Sequence, residues 1–317
     1  MEAIVSLHER LKKTMPELEL RVKEPMSQHT SFRVGGPVSL MAFPNREEEL
    51  SQLLRLAKEE GVSPFFLGRG SNLLAADEGV DAFVIKLAGG LNRLELEGET
   101  TVYAGSGVTL AQTALFAAEH GLTGLEFAHG IPGTVGGGVF MNAGAYGGEL
   151  SQVLRSVDCL DETGVPHRLS GEELELGYRH SVFSHRPWLI TGARMTLQPG
   201  DAAEIRAKMA DLMQRRRSKQ PLDYPSAGST FKRPEGHFAG GLIEQCGLKG
   251  ASVGGAQVSE KHAGFVINTG GATCQDIIRL IRSVRNTVQR ETGVLLEPEV
   301  RMLGCTLDSY SGKENQA

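Results

Sequence analysis

The sequence predicts an α+β protein with a second lobe towards its C-terminal end. Its first part holds one short strand–helix–strand unit followed by antiparallel hairpins, along which apolar and polar residues alternate. Its second part begins with a long helical pattern from Asp201 to Lys219, which Pro221 stops. A chain of 317 residues is long enough for two such parts.

The N-terminal third is predicted to alternate helices and strands. Apolar residues recur at helical spacing over residues 4–20, which predicts a first amphipathic helix. Asn45 and Glu48 have the spacing of a capping box and predict the start of a second helix, which Gly61 ends. Short apolar runs predict three strands, at residues 38–43, 64–67 and 82–87.

The rest of the chain is predicted to combine hairpins with three further long helices. Thr109 with Gln112 and Thr273 with Asp276 have the spacing of helix starts. Residues 222–228 are predicted to form a loop, and the last block, to about Gly304, is predicted to hold short strands and two helices. The predicted strands of the middle region lie at residues 94–96, 101–104, 153–160, 165–169 and 188–197.

Composition and charge exclude several classes of protein. Apolar residues make up 40% of the chain, which suffices for a core and excludes wholesale disorder. The formal charge of −5 argues against a nucleic-acid partner, because such proteins usually carry a basic excess. No apolar run is long enough to predict a membrane span, and the acidic residues among the first 13 argue against a signal peptide.

The cysteines indicate a reducing compartment, the cytoplasm, and no metal site is predicted. None of the four has a partner at C-x-x-C spacing, so neither a zinc site nor a redox motif is indicated. We expect each to be a small buried apolar residue. The four are Cys159, Cys246, Cys274 and Cys305.

Glycine is in excess and unevenly placed, with ten of the 40 in residues 121–150. Three segments stand out: LGRGSNLL at 67–74, AGSGV at 104–108 and GIPGTVGGGVFMNAGAYGG at 130–148. None fits the Rossmann or P-loop pattern. Successive backbone N–H groups in glycine turns bind anions, so three such loops predict a site that wraps a dinucleotide. The alternative is that they are tight turns only.

Seven segments together resemble the UDP-N-acetylenolpyruvoylglucosamine reductase family. The resemblance covers about residues 22–304, the motifs follow the family's order, and the combination is specific although no single segment is. No aromatic-rich insertion lies between Arg179 and Ser229, which resembles the family's shorter subtype. The segments are HTSFRVGGP, LGRGSNLL, GIPGTVGGGVFMNAGAYGG, YRHSVF, AGSTFKRP, LIEQCGLKG and LEPEVR.

The resemblance implies a fold, cofactors and a reaction. The fold would be a two-part FAD-binding domain of the vanillyl-alcohol-oxidase (PCMH) type followed by an α+β substrate-binding lobe. The protein would hold FAD non-covalently, take electrons from NADPH and reduce UDP-N-acetylglucosamine enolpyruvate to UDP-N-acetylmuramate for peptidoglycan synthesis. The implied parts are an N-terminal helical segment (1–31), FAD subdomains 1 (32–87) and 2 (88–197), a substrate-binding domain (198–305) and a polar tail (306–317).

The family motifs also imply site residues. Ser229 would donate a proton to the substrate, and Arg179 and Glu299 would stabilise its enolate-like intermediate. The implied substrate-binding residues are Tyr178, Lys219, Lys232 and Arg233. The implied FAD-binding residues lie in the three glycine segments: Gly68, Arg69, Gly70, Ser71, Asn72, Leu73, Gly105, Gly107, Gly130, Ile131, Pro132, Gly133, Thr134, Gly136, Gly137, Asn142, Ala143 and Gly144.

Some roles stay open at this point. Glu297 and Glu299 would face the same side of a strand, so only the family motif favours Glu299. Lys232 is a candidate proton relay to Ser229. His129 precedes the GIPG turn, where it would either contact flavin or cap the turn.

The run Arg215 to Arg217 would bind a diphosphate or form a solvated helix end.

Two other functions are compatible with the glycine loops. One is another FAD-dependent oxidase or dehydrogenase of the same fold, and the other is a non-catalytic flavin- or sugar-nucleotide-binding module. The oligomeric state is not predicted.

Overall fold

A computed structural model describes residues 2–310, which combine helices and strands as the predicted α+β class requires. No helix among these residues is long and apolar enough to cross a membrane. The α-helices of the described residues are α1 (Glu2–Thr14), α2 (Glu47–Glu59), α3 (Leu110–Glu119), α4 (Val135–Phe140), α5 (Ala202–Lys219), α6 (Ala239–Gln245) and α7 (Cys274–Thr292).

The strands are short, and most lie in the first two thirds of the chain. They are β1 (Glu19–Pro25), β2 (Pro37–Phe43), β3 (Phe65–Leu67), β4 (Leu73–Ala75), β5 (Val80–Lys86), β6 (Leu94–Glu97), β7 (Thr101–Gly105), β8 (Leu122–Thr123), β9 (Gly144–Ala145), β10 (Gly148–Glu149), β11 (Leu154–Leu160), β12 (Pro166–Ser170), β13 (Leu189–Thr196), β14 (Gln198–Pro199), β15 (Ser252–Val253), β16 (Ala256–Val258), β17 (Val266–Asn268) and β18 (Arg301–Leu303).

The sheets match the predicted mixture of one crossover and several hairpins. A five-stranded sheet in the order β12-β11-β13-β7-β6 is antiparallel throughout. A four-stranded sheet has the order β1-β2-β5-β3, in which β3 and β5 are parallel. Towards the C-terminal end, β15-β16-β17 form an antiparallel sheet, and β18 pairs with β4 in parallel.

The described chain divides into two compact units, each made of separate stretches of sequence. Unit 1 has one core where α1 and α2 pack with β2 and β5, and another where α3 packs with the five-stranded sheet. Unit 2 has a core beneath the apolar face of α7. Unit 1 comprises residues 2–22, 40–69 and 82–216, and unit 2 comprises residues 23–39, 70–81 and 217–310.

Two predicted helix starts are confirmed, and both follow from local side-chain chemistry. Thr109 accepts a hydrogen bond from the Gln112 N–H at 3.1 Å and begins α3. Thr273 accepts one from the Asp276 N–H at 3.0 Å and begins α7. Gly293 ends α7 at a φ of +74°, a conformation that disfavours residues with a Cβ.

The predicted start of the chain is wrong in three details. The first helix ends at Thr14 rather than near residue 20, because Pro16 disfavours helical backbone in the residue before it, and the strand β1 follows. Arg46, not Asn45, begins α2, and Glu49 rather than Glu48 closes the capping box. The three-residue strand β4 has no pattern of its own in the sequence and was not predicted.

The glycine run expected to form loops contains the helix α4. The Thr134 side chain accepts a hydrogen bond from the Gly137 N–H at 3.4 Å. Glycine lowers helix propensity, but a Cβ on Gly136 would lie 2.9 Å from the Ser106 Cβ, and one on Gly138 3.0 Å from Leu110. Close packing of the α4 backbone therefore requires these glycines.

We predict opposite stability effects for two adjacent substitutions in α4. Gly136→Ala should lower the free energy of unfolding by about 1–3 kcal/mol, because its methyl group overpacks against Ser106. Gly137→Ala is the matched control, since the nearest atom to its Cβ is Thr134 Oγ1 at 3.7 Å. The control should be neutral or raise stability by up to about 1 kcal/mol. Equal Tm values for the two variants in thermal unfolding would contradict this packing argument.

Candidate functional site

The second and third glycine segments are joined in unit 1 by backbone hydrogen bonds. The Gly136 N–H donates to the Ser106 carbonyl at 3.0 Å, and the Val135 N–H donates to the Val108 carbonyl at 2.8 Å. In return, the Leu110 N–H donates to the Gly133 carbonyl at 3.0 Å. These bonds join two segments that are separate in sequence into one packed stretch of backbone.

The first glycine segment is divided between the units. Gly68 belongs to unit 1, where a Cβ would lie 2.6 Å from Thr134 Oγ1, so this backbone packs against the third segment. Gly70 belongs to unit 2, where a Cβ would collide with the His29 carbonyl oxygen. Ser31 supports this turn, because its N–H donates to the Gly70 carbonyl at 3.0 Å. The HTSF motif therefore holds the backbone of the LGRGSNLL motif.

Two buried polar atoms of unit 1 support a bound polar ligand beside these loops. Ser106 Oγ and His129 Nδ1 are buried, and neither has a hydrogen-bond partner within the described residues. Buried polar atoms nearly always have a hydrogen-bond partner. A cofactor with many donors and acceptors, such as FAD, would supply these partners beside the loops. The His129 N–H donates to the Glu126 carbonyl at 3.3 Å, so His129 also closes the turn before GIPG.

A pair of cations adds an electrostatic feature that the sequence did not reveal. Lys86 ends β5 beside Leu67, the residue that ends β3, and Arg69 follows two residues later. Burial and, to a smaller extent, the nearby positive charge of Arg69 together lower the pKa of Lys86 to about 8. Two neighbouring cations can together bind an anion. The sequence did not predict this pair, because a lysine after an apolar strand is not a recognisable binding motif.

Tyr178 and Arg179 lie at the tip of a tight turn in unit 1. Gly177 and His180 exchange two backbone hydrogen bonds of 3.1 and 3.2 Å across this turn, and Arg179 has a φ of +55°. The Arg179 guanidinium lies over the ring of Tyr178, 5.0 Å from its centre. A positive φ is uncommon for a residue with a side chain and is typical of functional turns.

Side chains anchor this turn to the third glycine segment. Asn142 donates to the Gly177 carbonyl at 3.1 Å and accepts from the Ser151 N–H at 2.9 Å. Ser181 donates to the carbonyl of Phe140, the last residue of α4, at 2.7 Å. The implied FAD-binding residue Asn142 thus also positions the turn that carries Arg179.

In unit 2, Thr230 follows Ser229 in the sequence and is hydrogen-bonded to the backbone of Glu299. Thr230 therefore brings Ser229 and Glu299 close together. Thr230 is buried, its N–H donates to the Gly264 carbonyl at 2.8 Å, and its Oγ1 accepts from the Val266 N–H at 2.9 Å. Its carbonyl accepts from the Glu299 N–H at 2.8 Å. Ser229 itself is exposed, so a fixed backbone presents its hydroxyl at the surface of unit 2.

The two candidate glutamates differ in their surroundings. Glu297 is exposed, and its carboxylate forms an ion pair with the Lys232 ammonium. Glu299 is half-buried, and its carbonyl accepts a hydrogen bond from Asn72 Nδ2 at 3.2 Å. Asn72 therefore bonds to the backbone of Glu299 itself, although the two residues are 227 positions apart in the sequence.

The other implied substrate-binding cations lie at exposed positions. Lys219 is exposed at the end of α5, and the Arg233 guanidinium lies 4.5 Å from the ring centre of the exposed Phe238. Arg215 forms a 2.8 Å ion pair with Asp211 on the helix surface. Arg216 differs, because burial lowers its pKa and its stem lies against Gly130. Arg216 continues the helical spacing of the apolar residues of α5, and this spacing is the sequence pattern that indicates its partial burial.

The site residues thus fall into two groups. Unit 1 holds Arg179 with Tyr178 and most of the glycine loops, and unit 2 holds Ser229, Glu299 and Lys232.

Two models of known protein families match the chain. Residues 38–170 match the model of an FAD binding domain, and residues 220–303 match that of the UDP-N-acetylenolpyruvoylglucosamine reductase C-terminal domain. Among curated relatives, the UDP-N-acetylenolpyruvoylglucosamine reductase of Caldanaerobacter subterraneus is 47% identical and covers 94% of this chain and 98% of its own. That of Clostridium perfringens is 50% identical, covering 91% and 94%.

A solved structure extends the likeness to three dimensions. The crystal structure of UDP-N-acetylenolpyruvylglucosamine reductase (MurB) from Thermus caldophilus has a TM-score of 0.77 and 37% identity, and the match covers 90% of this chain and 99% of that one. The FAD-binding and C-terminal domains together define an FAD-dependent oxidoreductase. The chain belongs to the UDP-N-acetylenolpyruvoylglucosamine reductase family. The C-terminal match speaks against another oxidase on the same FAD-binding domain.

We predict that Lys86 makes FAD binding depend on pH. A lysine whose pKa is about 8 is charged below that pH, and an anion bound beside it favours the charged form. The FAD affinity of the wild-type protein should therefore fall as the pH rises above 8, by up to about tenfold per pH unit. Lys86→Met should bind FAD more weakly at pH 7 and show no such fall, as measured by flavin fluorescence.

Lys58→Met is the matched control for this experiment, because Lys58 is an exposed lysine of α2 in the same unit. It should retain the wild-type pH profile. A Lys86→Met protein with the affinity and pH profile of the wild type would show that this cation does not face the cofactor.

Proposed function

We propose that the chain reduces UDP-N-acetylglucosamine enolpyruvate to UDP-N-acetylmuramate, with NADPH as the reductant and FAD bound non-covalently. The observation that carries the proposal is membership of the reductase family over more than nine-tenths of the chain. The unpartnered Ser106 and His129 atoms and the cations Lys86 and Arg69 support an FAD site in the glycine loops. The product would serve peptidoglycan synthesis.

Arg179 would bind the carboxylate of the substrate. Bound FAD, once reduced by NADPH, would supply the hydride for the β-carbon of the enolpyruvyl group, and negative charge would then build up on the carboxylate of the substrate. The planar guanidinium can bind such a carboxylate with two parallel hydrogen bonds. The anchored turn that carries Arg179 holds this donor in place before the charge develops, which is the arrangement that stabilises a transition state.

Ser229 would donate the proton that completes the reduction at the α-carbon. A serine hydroxyl is a weak acid, so it can serve only against a strongly basic carbanion and from a fixed position. The three backbone and side-chain bonds of Thr230 supply that fixed position. Lys232 remains the proposed relay that restores the proton.

Glu299 would share the stabilisation of the enolate-like intermediate. Its half-buried position, with its backbone bonded to Thr230 and Asn72, supports this role over that of the exposed Glu297, whose carboxylate is engaged by Lys232. We assign the diphosphate of the substrate to the cationic and aromatic residues Tyr178, Lys219, Lys232 and Arg233. Arg216 joins this group because it is a partly desolvated cation beside the GIPG turn.

We place this reaction in the cytoplasm. The four cysteines are free, including Cys274 and Cys305, whose sulfur atoms lie 3.5 Å apart. Thiols at such a distance stay reduced in a reducing compartment. Sugar nucleotide and NADPH are the partners, and neither nucleic acid nor a membrane is part of the proposal.

We predict that Ser229→Ala separates the two half-reactions. In anaerobic stopped flow, NADPH should bleach the flavin of the variant at the wild-type rate. Its reoxidation by the enolpyruvyl substrate should slow by at least about a hundredfold, because the proton donor is gone. Ser252→Ala, an exposed serine of unit 2, should behave as the wild type in both steps. Reoxidation at a near-normal rate in Ser229→Ala would rule out this proton donor.

We also predict that Glu299→Gln and Glu297→Gln differ in the same reoxidation step. Glu299→Gln should slow it by at least tenfold, equivalent to about 1.4 kcal/mol, while the flavin stays bound. Glu297→Gln breaks only an exposed ion pair, worth about 1 kcal/mol or less, and should change the rate by less than about fivefold. The reverse order of effects would move the catalytic assignment to Glu297.

A further inference from the structure

Three side chains of metal-ligand type converge beside the Arg179 turn in unit 1. We call Glu175, His180 and His185 the His–Glu cluster. One carboxylate oxygen and one ring nitrogen of each histidine all lie within 4.8 Å of one another. None of the roles assigned above uses these side chains.

The distances within the His–Glu cluster are those of groups that share a small cation. His185 Nε2 and His180 Nε2 lie 3.6 and 3.9 Å from the same oxygen, Oε2 of Glu175. Both distances exceed that of a direct hydrogen bond. Ligand atoms about 2.1 Å from a tetrahedral zinc ion are about 3.4 Å apart, so small rotations about side-chain bonds would close the site.

The backbone already holds the three ligands in place. Glu175 has a φ of +47° and ends the 3-10 turn Gly171–Leu174, whose Leu174 is buried. His185 ends the turn Val182–Ser184, whose Val182 is fully buried. The two histidine rings are nearly parallel, at 19°, with centres 6.0 Å apart. Glu175 and His185 are thus each attached to a turn that the core of unit 1 fixes, and His180 closes the turn of residues 177–180.

We propose that the His–Glu cluster binds a divalent transition-metal ion of the zinc class. Two imidazoles and one carboxylate suit zinc or cobalt and not magnesium or calcium, which prefer oxygen ligands throughout. The half-exposed position leaves a fourth coordination site to water.

The bound ion clamps the turn that carries Tyr178 and Arg179. Glu175 lies before this turn and His180 directly after it, so one ion joins the two ends of the turn. In the protein alone these ends are held by the Gly177–His180 pair of hydrogen bonds and by Asn142. Metal binding therefore restricts the backbone of Arg179 and slows amide exchange there.

The binding test uses the FAD-loaded full chain and zinc chloride in titration calorimetry. The wild type should bind one zinc ion, and His185→Ala and Glu175→Gln should each weaken binding by at least tenfold. His120→Ala is the matched control, since His120 is an exposed histidine of unit 1 at the end of α3, and it should bind as the wild type does. No zinc binding by the wild type, or equal binding by all four proteins, would overturn the site.

The clamp is tested by hydrogen exchange with and without zinc, which needs neither substrate nor NADPH. Zinc should slow amide exchange over residues 176–184 in the wild type and in His120→Ala, and leave it unchanged in His185→Ala. Unchanged exchange in the wild type, with zinc bound, would overturn the clamp. Both readouts are independent of turnover, so failure of the proposed reductase activity and failure of the metal site are distinguishable.

Discussion

The close contact between the backbone of α4 and the loop that contains Ser106 determines how unit 1 can work. Gly136 lies against Ser106 because no Cβ separates them, and the Gly136 N–H donates to the Ser106 carbonyl. A helix with three successive glycines gives up about 0.5–1 kcal/mol per glycine relative to alanine. What it gains is the close approach of its backbone to the loop that contains Ser106, whose Oγ is buried and has no hydrogen-bond partner within the described residues.

The position of Arg179 depends on the same helix. The carbonyl of Phe140 ends α4 and accepts from Ser181, and Asn142 just beyond it bonds to Gly177. Two hydrogen bonds, one on each side of the turn that carries Arg179, therefore attach this turn to the C-terminal end of α4. The proposed cofactor site and the proposed substrate-binding cation are therefore coupled through these hydrogen bonds, so a change in the packing of α4 reaches the turn directly.

The sequence predicted those elements whose cause is local and missed those whose cause is a distant contact. The caps of α3 and α7 need only two residues three positions apart, and both were predicted. The helix α4 was not, because only the neighbouring Ser106 and Leu110 explain its glycines. The strand β4 pairs with β18, more than 200 residues away. The family motifs supplied Arg179, Ser229 and Glu299, while no metal motif has the spacing of the His–Glu cluster, which depends on where two turns end.

The surroundings of individual cations explain how a protein with a formal net charge of −5 can bind anionic cofactors and an anionic substrate. Arg194, which has no candidate role, is typical of the structural cations, because it pairs with both Glu97 and Asp158. Lys86 and Arg216 differ, since burial lowers the pKa of each and no carboxylate is among the causes of either shift. Such a cation is unfavourable in the protein alone and becomes favourable once an anion lies beside it. On the proposed assignment the chain needs no basic surface, because a few desolvated cations beside glycine-rich backbone would attract the diphosphates.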